Sequence, residues 1–419
     1  MRVLWFTNTS SCFSLENNIY NGGGWIASAE KAFYHIPCID LAVSFMMDDQ
    51  VFKIENENVT YYPIPRNRIS LFRKISNCLS YFSKKSMIRK EEISWSYYLE
   101  YFRKIIGDFN PDIIHVWGSE EYFGLVGKIT DVPIVLHVQG ILNPYFNAFL
   151  PPFVSWSSYG NGVIGKFRKF SNKCKWEMNC YRERVIYQNV SFFLGRTEWD
   201  RRVCYVLNPK STYFHVDEVL RNPFYCDSER YVPEKLTIVT TISSPLYKGF
   251  DLVLKTAKIL KKNLNLDFEW NCFGNIDPSF IEDNVGIKHQ DVNVYILGVL
   301  SSEELKNKEL NATLYFHSSY IDNSPNSVCE AQMLGLPVIS TNVGGICTLV
   351  QNEVSGFLIP ANDPYQGAYL IERLFKDKKL NISIGQKGKE EARRRHGKEN
   401  VVNQILTVYR DIQNVSKHT

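Results

Sequence analysis

The sequence predicts an α/β protein of two parallel-sheet, Rossmann-like domains, and three observations carry that prediction. At 419 residues the chain is too long for one ordinary hydrophobic core. Short apolar runs of strand length alternate with stretches of helical periodicity in both halves, the pattern of βαβ units. Between the two series, Arg221-Asn222-Pro223 through Pro233 is polar and carries two prolines, the composition of a connection. The expected division is therefore residues 1–222, a linker at 223–235, and a second domain at 236–399.

Composition narrows the class. Apolar residues at 44% and charged residues at 22% are values for a soluble globular protein. The ten cysteines show no CxxC and no paired spacing, and no His/Cys cluster suggests a metal. A reduced, cytoplasmic compartment fits that usage. MRVLWFTNTS reads as a strand rather than a signal peptide, and nowhere do about 18 apolar residues run together. Residues 1–215 carry 25 Lys/Arg against 19 Asp/Glu, and the remainder 23 against 25, so the two halves suit different partners. The basic half lacks any nucleic-acid-binding module signature, and no nucleic-acid partner is expected.

In order, Arg2 to Thr7 is a buried strand, and a helix begins near Trp25 after Asn21-Gly22-Gly23-Gly24. Glycines there let backbone N–H groups approach a phosphate, although the dinucleotide fingerprint GxGxxG is absent and, taken alone, they read first as a plain flexible turn. From Arg66 to Lys90 there are eight basic residues and no acid, with Leu71, Ile75, Leu79 and Phe82 at helical spacing. Such a helix suits an anionic membrane surface or, alternatively, a solvated face packed on the sheet. A second helix, about Glu92 to Gly107, feeds the strand Asp112–Val116, and Pro133–Val138 is the next strand. His115 and His137 lie near the ends of these strands, where α/β ligand sites form. Residues 143–160 hold Tyr145, Phe146, Phe149, Phe153, Trp156 and Tyr159, flat faces that suit a sugar ring, a lipid carrier or a core edge. After the strand Ser191–Leu194, Thr197 is a candidate N-cap with Asp200 three residues on. Arg196, just before it, faces either the cleft or Asp200.

The second half opens on the strand Leu236–Ile242 and a helix with Phe250, Val253, Leu254, Ala257 and Leu260 on one stripe. Lys248 stands in the loop between them, where a cation can neutralise a departing diphosphate. Phe268–Phe273 ends in Gly274-Asn275, and Val294–Leu297 in Gly298-Val299. The stretch LYFHSSYIDNSPNSVCEAQMLGLPVISTNVGG, Leu314 to Gly345, is strand, loop, helix and strand. Ser324 is its expected N-cap, Pro325 the first helical residue, Gly335 the stop, and Pro337 the block to continuation. Asp322 lies on the loop, Glu330 eight positions later in the helix, and Asn326 and Ser327 share the face of Glu330. Free N–H groups at the helix start, including those around Asn323 and Ser324, suit a diphosphate, and flanking carboxylates suit sugar hydroxyls. From spacing alone, a solvated acidic pair beside an ordinary βαβ unit remains open.

An acid, seven residues, Glu-Ala, then small-Gly-x-Pro-Val and a Gly-Gly turn resembles the signature of retaining GT-B glycosyltransferases, family 4, also called group 1. These assemble bacterial surface polysaccharides. The resemblance implies two facing Rossmann-like domains, with the helix at about 400–419 packing back on the first. It implies that Glu330 binds the donor ribose and Asp322 the donor sugar. Gly22, Gly23 and Gly24 would reach the donor phosphates, Gly274 and Gly298 would hold the base, and His137 would be the active-site histidine. Lys248-Gly249 matches the family, but Ser243 stands where the family usually has Arg, and Asp322 where it usually has Glu. Arg196 or another basic residue is left to supply the missing charge.

The expected activity is a retaining, metal-independent, hexosyltransferase-type reaction. It would move sugar from a UDP- or GDP-linked nucleotide-sugar donor to a glycan or polyprenyl-linked acceptor, with no cofactor. The site would be cytoplasmic or peripheral on the inner face of the plasma membrane. A nucleotide-sugar 2-epimerase on the same fold, and a catalytically silent nucleotide-sugar-binding protein, are the alternatives.

Overall fold

The computed structural model describes residues 1–13, 24–34, 36–48, 52–56, 58–67, 83–156 and 162–416. Its strands form two sheets. The first has the order β3-β4-β2-β1-β5-β6-β7-β8 and the second β11-β10-β9-β12-β13-β14. In the first sheet, β1 is Arg2–Phe6, β2 Asp40–Met47, β3 Ile54–Asn56, β4 Val59–Pro65, β5 Ile113–Trp117, β6 Ile134–His137, β7 Phe192–Gly195 and β8 Thr212–His215. In the second, β9 is Leu236–Thr241, β10 Phe268–Phe273, β11 Val294–Ile296, β12 Leu314–His317, β13 Val338–Thr341 and β14 Phe357–Ile359. Among the described residues every pairing is parallel except β3 with β4.

Sheets of this kind are covered on both faces, which is why runs such as Ile113–Trp117 and Leu314–His317 are buried at every residue. Each sheet has a topological switch point, between β1 and β5 in the first and between β9 and β12 in the second. Crevices open at the carboxyl ends of strands at such points.

The chain terminus completes the first domain. Val401, Ile405, Tyr409 and Ile412 of the helix Lys398–Ser416 share a core with Val3, Trp5, Trp25 and Val43. Tyr409 is fully buried; its hydroxyl accepts from Trp5 Nε1 at 3.1 Å and meets His115 Nδ1 at 2.5 Å. His115 is thereby a core residue, and burial holds its imidazole down at about 3. Leu220, just before the connection, and Phe224, on it, already belong to the core of the second sheet, with Val239, Tyr315 and Val328.

Two boundaries differ from the sequence reading. The helix expected at about Glu92–Gly107 runs Lys84–Phe109, ending where Asn110 takes a left-handed φ of 50° before Pro111. Lys84, Lys85, Arg89 and Lys90 form its first turns, while Leu71, Ile75, Leu79 and Phe82 lie outside the described residues. The helix after Asp322 begins at Asn326 rather than Pro325. Pro325 keeps φ −65° but swings to ψ 118°, so it occupies the cap position and Ser324 does not. Proline has no side-chain acceptor, and the helix start is left without a side-chain cap.

Candidate active site

The carboxyl ends of both sheets line one cavity of about 400 Å³. Gly24, Trp25, Glu120, Gln139, Gly140, Tyr145 and Arg196 come from the first domain, and Arg221 from the connection. The second domain contributes Thr241 to Ser243, Tyr247, Lys248, Gly274, Asp322, Ser324 to Ser327 and Glu330, among others.

Ion pairs organise this wall. Lys248 Nζ donates to Asp322 Oδ2, which also meets His317 Nε2 at 3.0 Å and accepts from Ser319 Oγ at 3.2 Å. Tyr145 crosses from the first domain to donate to Asp322 Oδ1 at 3.2 Å and to accept from the Asn323 amide at 3.0 Å. Burial would raise the Asp322 carboxyl, but the Lys248 ammonium and the His317 contact hold it well below the usual carboxylate range. Burial would likewise depress Lys248, and the Asp322 charge overrides it and raises the ammonium. His317 stays low because burial outweighs Asp322. The loop thus carries a fixed carboxylate–ammonium pair.

Glu330 makes the second pair. Arg221 holds it with both arms of its fork, Nε to Oε1 at 2.7 Å and Nη2 to Oε2 at 2.6 Å, the bidentate geometry of a strong charged pair. The stem of Arg221 also lies against Gly24, where an added Cβ would meet Arg221 Cδ at 3.3 Å. Arg221 therefore sits between the ribose candidate and the start of the first helix, Gly24–Phe33. The third pair is Arg196 Nη1 with Glu218 Oε2 at 2.5 Å; the same nitrogen donates to Asn326 Oδ1 at 3.2 Å. Asp200 instead closes the predicted cap, accepting from the Arg196 and Thr197 amides while Thr197 Oγ1 accepts from its own.

Ser324 Oγ is buried on this wall with no hydrogen-bond partner among the described residues. With the uncapped helix start beside it, it adds a donor where an anion would lie. Gly274, at φ 129°, allows the chain to pass so close that a Cβ would fall 1.9 Å from the Ile242 carbonyl. Only glycine tolerates both conditions.

The cavity thus brings together Gly24, Arg196, Lys248, Gly274, Asp322, Ser324, Asn326, Ser327 and Glu330. Three other candidates stand off its wall. Asn323 spends its side chain across the domains, accepting from Thr197 Oγ1 at 2.8 Å and donating to Gln139 O and Asp200 Oδ2 at 3.0 Å each. Gly298 accepts from the Gly274 amide at 2.8 Å and leaves the wall to Val299 and Leu300. His137 has no exposed surface, stacks on Trp117 at 4.7 Å, and approaches Glu218 only to 3.9 Å. Burial, then the His115 and Arg196 charges, hold it well below the ordinary imidazole range. Gly22 and Gly23 lie outside the described residues.

Sequence reasoning did not single out Glu120, Gln139, Arg221 or His317, and it left Tyr145 as one aromatic among six. A usable signal existed for two of them: Glu120 and Gln139 lie shortly past Trp117 and His137, the ends of β5 and β6, where the ligand loops of α/β sheets start.

Residues 229–391 match the family model for glycosyl transferases group 1. Over 83 residues the chain is 32% identical to N-acetyl-alpha-D-glucosaminyl L-malate synthase of Bacillus anthracis, covering 20% of this chain and 22% of that protein. Over 61 residues it is 43% identical to the UDP-Gal:alpha-D-GlcNAc-diphosphoundecaprenol alpha-1,3-galactosyltransferase of Escherichia coli, covering 15% and 16% respectively. The matched stretches thus span under a quarter of either relative. Sucrose-phosphate synthase from Thermosynechococcus elongatus superposes with a TM-score of 0.73 at 14% identity, covering 99% of both chains. That likeness identifies the two-domain architecture as GT-B.

Proposed function

We propose that this chain, a member of the group 1 glycosyl transferases through residues 229–391, transfers a sugar from a nucleotide-diphosphate donor to a hydroxyl, with retention at the anomeric carbon. The acceptor is a glycan or a lipid-linked saccharide; the name of the Escherichia coli relative, with its UDP-linked donor and diphosphoundecaprenol acceptor, supports that choice. The observation that carries the reading is the joint lining of one cavity by Lys248–Asp322, Arg221–Glu330 and the uncapped start of the helix Asn326–Met333.

In this reading Glu330 accepts hydrogen bonds from the ribose, and Lys248, Arg221 and the helix-start N–H groups face the diphosphate. As the bond from the anomeric carbon to phosphate oxygen breaks, positive charge builds on the sugar and negative charge on the leaving group. Cations preset around the second and a carboxylate beside the first stabilise both without rearrangement. The acceptor oxygen bonds to the anomeric carbon on the departing face, and its proton passes to the phosphate oxygen. Asp322, held anionic by Lys248, is the carboxylate assigned to that charge in this reading.

The test is a thermal-shift series with UDP, GDP and their sugars, followed by nucleotide release with and without chelator. A ligand bound only by the folded protein raises its melting temperature. The expected result is a shift with one nucleotide series, and transfer that persists in excess EDTA because lysine and arginine supply the charge. Loss of transfer in EDTA, restored by magnesium or manganese, would refute metal independence. Binding without nucleotide release favours the silent sensor, and interconversion of the donor sugar itself favours the epimerase.

The exposed Lys84, Lys85 and Arg89 at the start of the helix Lys84–Phe109 extend the basic stretch that begins at Arg66, and we assign this end to an anionic membrane surface. No described helix is long and apolar enough to cross a membrane. Flotation with anionic vesicles is expected at low salt and is expected to weaken at high salt, as surface charges are screened. Absence of flotation at low salt would leave these residues as an ordinary solvated end.

A further inference from the structure

Of the three carboxylates on the cavity wall, Asp322 and Glu330 have basic partners and Glu120 has none among the described residues. Glu120 follows β5 on the first-domain wall. Its Oε1 accepts from the Gly140 amide at 2.9 Å, and its Oε2 is buried without a hydrogen-bond partner. The approach is made possible by Gly118, at φ 90°, where a Cβ would lie 2.1 Å from Oε2. The loop is pinned from behind: Arg182 Nη2 donates to the Glu120 carbonyl at 2.7 Å, and Ser119 Oγ to Glu183 Oε1 at 2.7 Å. Beyond Gly140 stands the ring of Tyr145, which ends on Asp322.

A carboxylate without a basic partner is a poor contact for a diphosphate and a good one for a sugar hydroxyl. Building the loop costs stability, because a buried polar atom goes unsatisfied. We propose that Glu120 is an acceptor-binding residue: its carboxylate accepts a hydrogen bond from an acceptor hydroxyl next to the reacting one and fixes the acceptor against the donor sugar. This rests on the glycosyltransferase reading above. The reacting hydroxyl keeps its own course, with its oxygen bonding to the anomeric carbon and its proton leaving on the phosphate, so Glu120 is unchanged by turnover.

The acceptor subsite is then pH-dependent. Burial pushes Glu120 up to about 7, the Gly140 amide opposes this, and the Glu183 and Glu121 charges add to it. Arg182 from the helix Gly162–Gln188 and Tyr145 from the helix Leu142–Asn147 complete the charged and titratable neighbours. Above about 7 the ionised carboxylate accepts from the hydroxyl; below it the proton weakens that contact. For folding the sign is opposite. A carboxyl raised above its unfolded value of about 4.3 favours the protonated fold, so stability present at low pH is lost as pH rises through about 7.

The experiment compares wild type with Glu120→Gln, using UDP-glucose and GDP-mannose as donors and octyl glycosides of glucose, galactose and N-acetylglucosamine as acceptor probes, from pH 5 to pH 9. The variant is expected to keep the nucleotide thermal shift and raise acceptor KM about tenfold or more, a charged hydrogen bond's worth. Its acceptor KM should no longer fall as pH rises through 7, and it should melt above wild type at pH 8.5 but not at pH 5. An acceptor KM within twofold of wild type with the same pH profile overturns the proposal. Nucleotide binding by both proteins, with no response to any octyl glycoside in rate or melting, also sinks the Glu120 subsite while the donor reading stands. If neither protein responds to any nucleotide, the glycosyltransferase reading falls first and takes this one with it.

Discussion

Asp322→Asn is expected to lower kcat by about 10- to 150-fold, the cost of about 1.5–3 kcal/mol for losing a charged hydrogen bond felt most in the transition state. The geometry adds a second loss. Asp322 is the only carboxylate that contacts Lys248 among the described residues, and its side chain is 7% exposed. Neutralising it leaves a largely buried ammonium without its charge partner, and removing one member of a buried pair costs about 3–5 kcal/mol. The asparagine still offers an oxygen to Lys248, so the stability loss should fall at or below the lower end. Asp322→Glu keeps the charge, but the space behind Asp322 is filled by His317 and Ser319. The extra methylene must carry the carboxylate forward, which preserves Lys248 and gives up the other two contacts. It should therefore lose less than Asp322→Asn on both measures. Steady-state constants with melting temperatures for the two variants decide this; kcat and donor KM both within about twofold for Asp322→Asn would remove Asp322 from the reaction.

Arg221→Ala is expected to raise donor KM at least as strongly as Glu330→Gln. In the proposed complex Glu330 holds the ribose in ground and transition states alike, so its loss should act on KM by about 10- to 150-fold and spare kcat. Arg221 does two things in the proposed complex: it aims Glu330 and it faces the diphosphate. Burial would depress its guanidinium, but the Glu330 carboxylate raises it, and the side chain stays charged. Arg221→Lys should rescue poorly, because an ammonium cannot reproduce the two parallel bonds to Glu330. A second variant separates the roles. Ser243 lines the same cavity, at the mouth of β9. Ser243→Arg in the Arg221→Ala background returns a cation without restoring the bonds to Glu330. Partial recovery of donor KM and kcat assigns Arg221 to the diphosphate; no recovery confines it to orienting Glu330.

The helix Asn326–Met333 starts without a side-chain cap, as does Phe250–Lys262, while others are closed. The helix Ser302–Leu310 is closed by a reciprocal Ser301–Glu304 box, and Glu198–Leu207 by Thr197 and Asp200. In both of these helices the first amides are satisfied within the chain. The helix after Asp322 begins with proline at the cap, and Ser324 Oγ is left over beside it. A helix start left open on a cavity wall is a place for an anion from outside the chain.

Local pattern was enough to read the alternation of strands and helices, the Thr197–Asp200 cap, and the spacing that sets Asp322 and Glu330 on one loop and helix. Each of these depends on residues a few positions apart, where turn chemistry and side-chain periodicity act directly. The partners of those residues were decided by the tertiary structure alone. Tyr145 meets Asp322 across 177 positions, Arg221 meets Glu330 across 109, and Asn323 is turned away from the cavity by groups more than 120 positions distant. Glu120 owes its lone position to a glycine two residues back and to a helix some 60 residues on. Such contacts follow from which strand ends the two sheet orders bring together. Strand order is set by how whole layers bury their faces, and no local window of sequence carries that information.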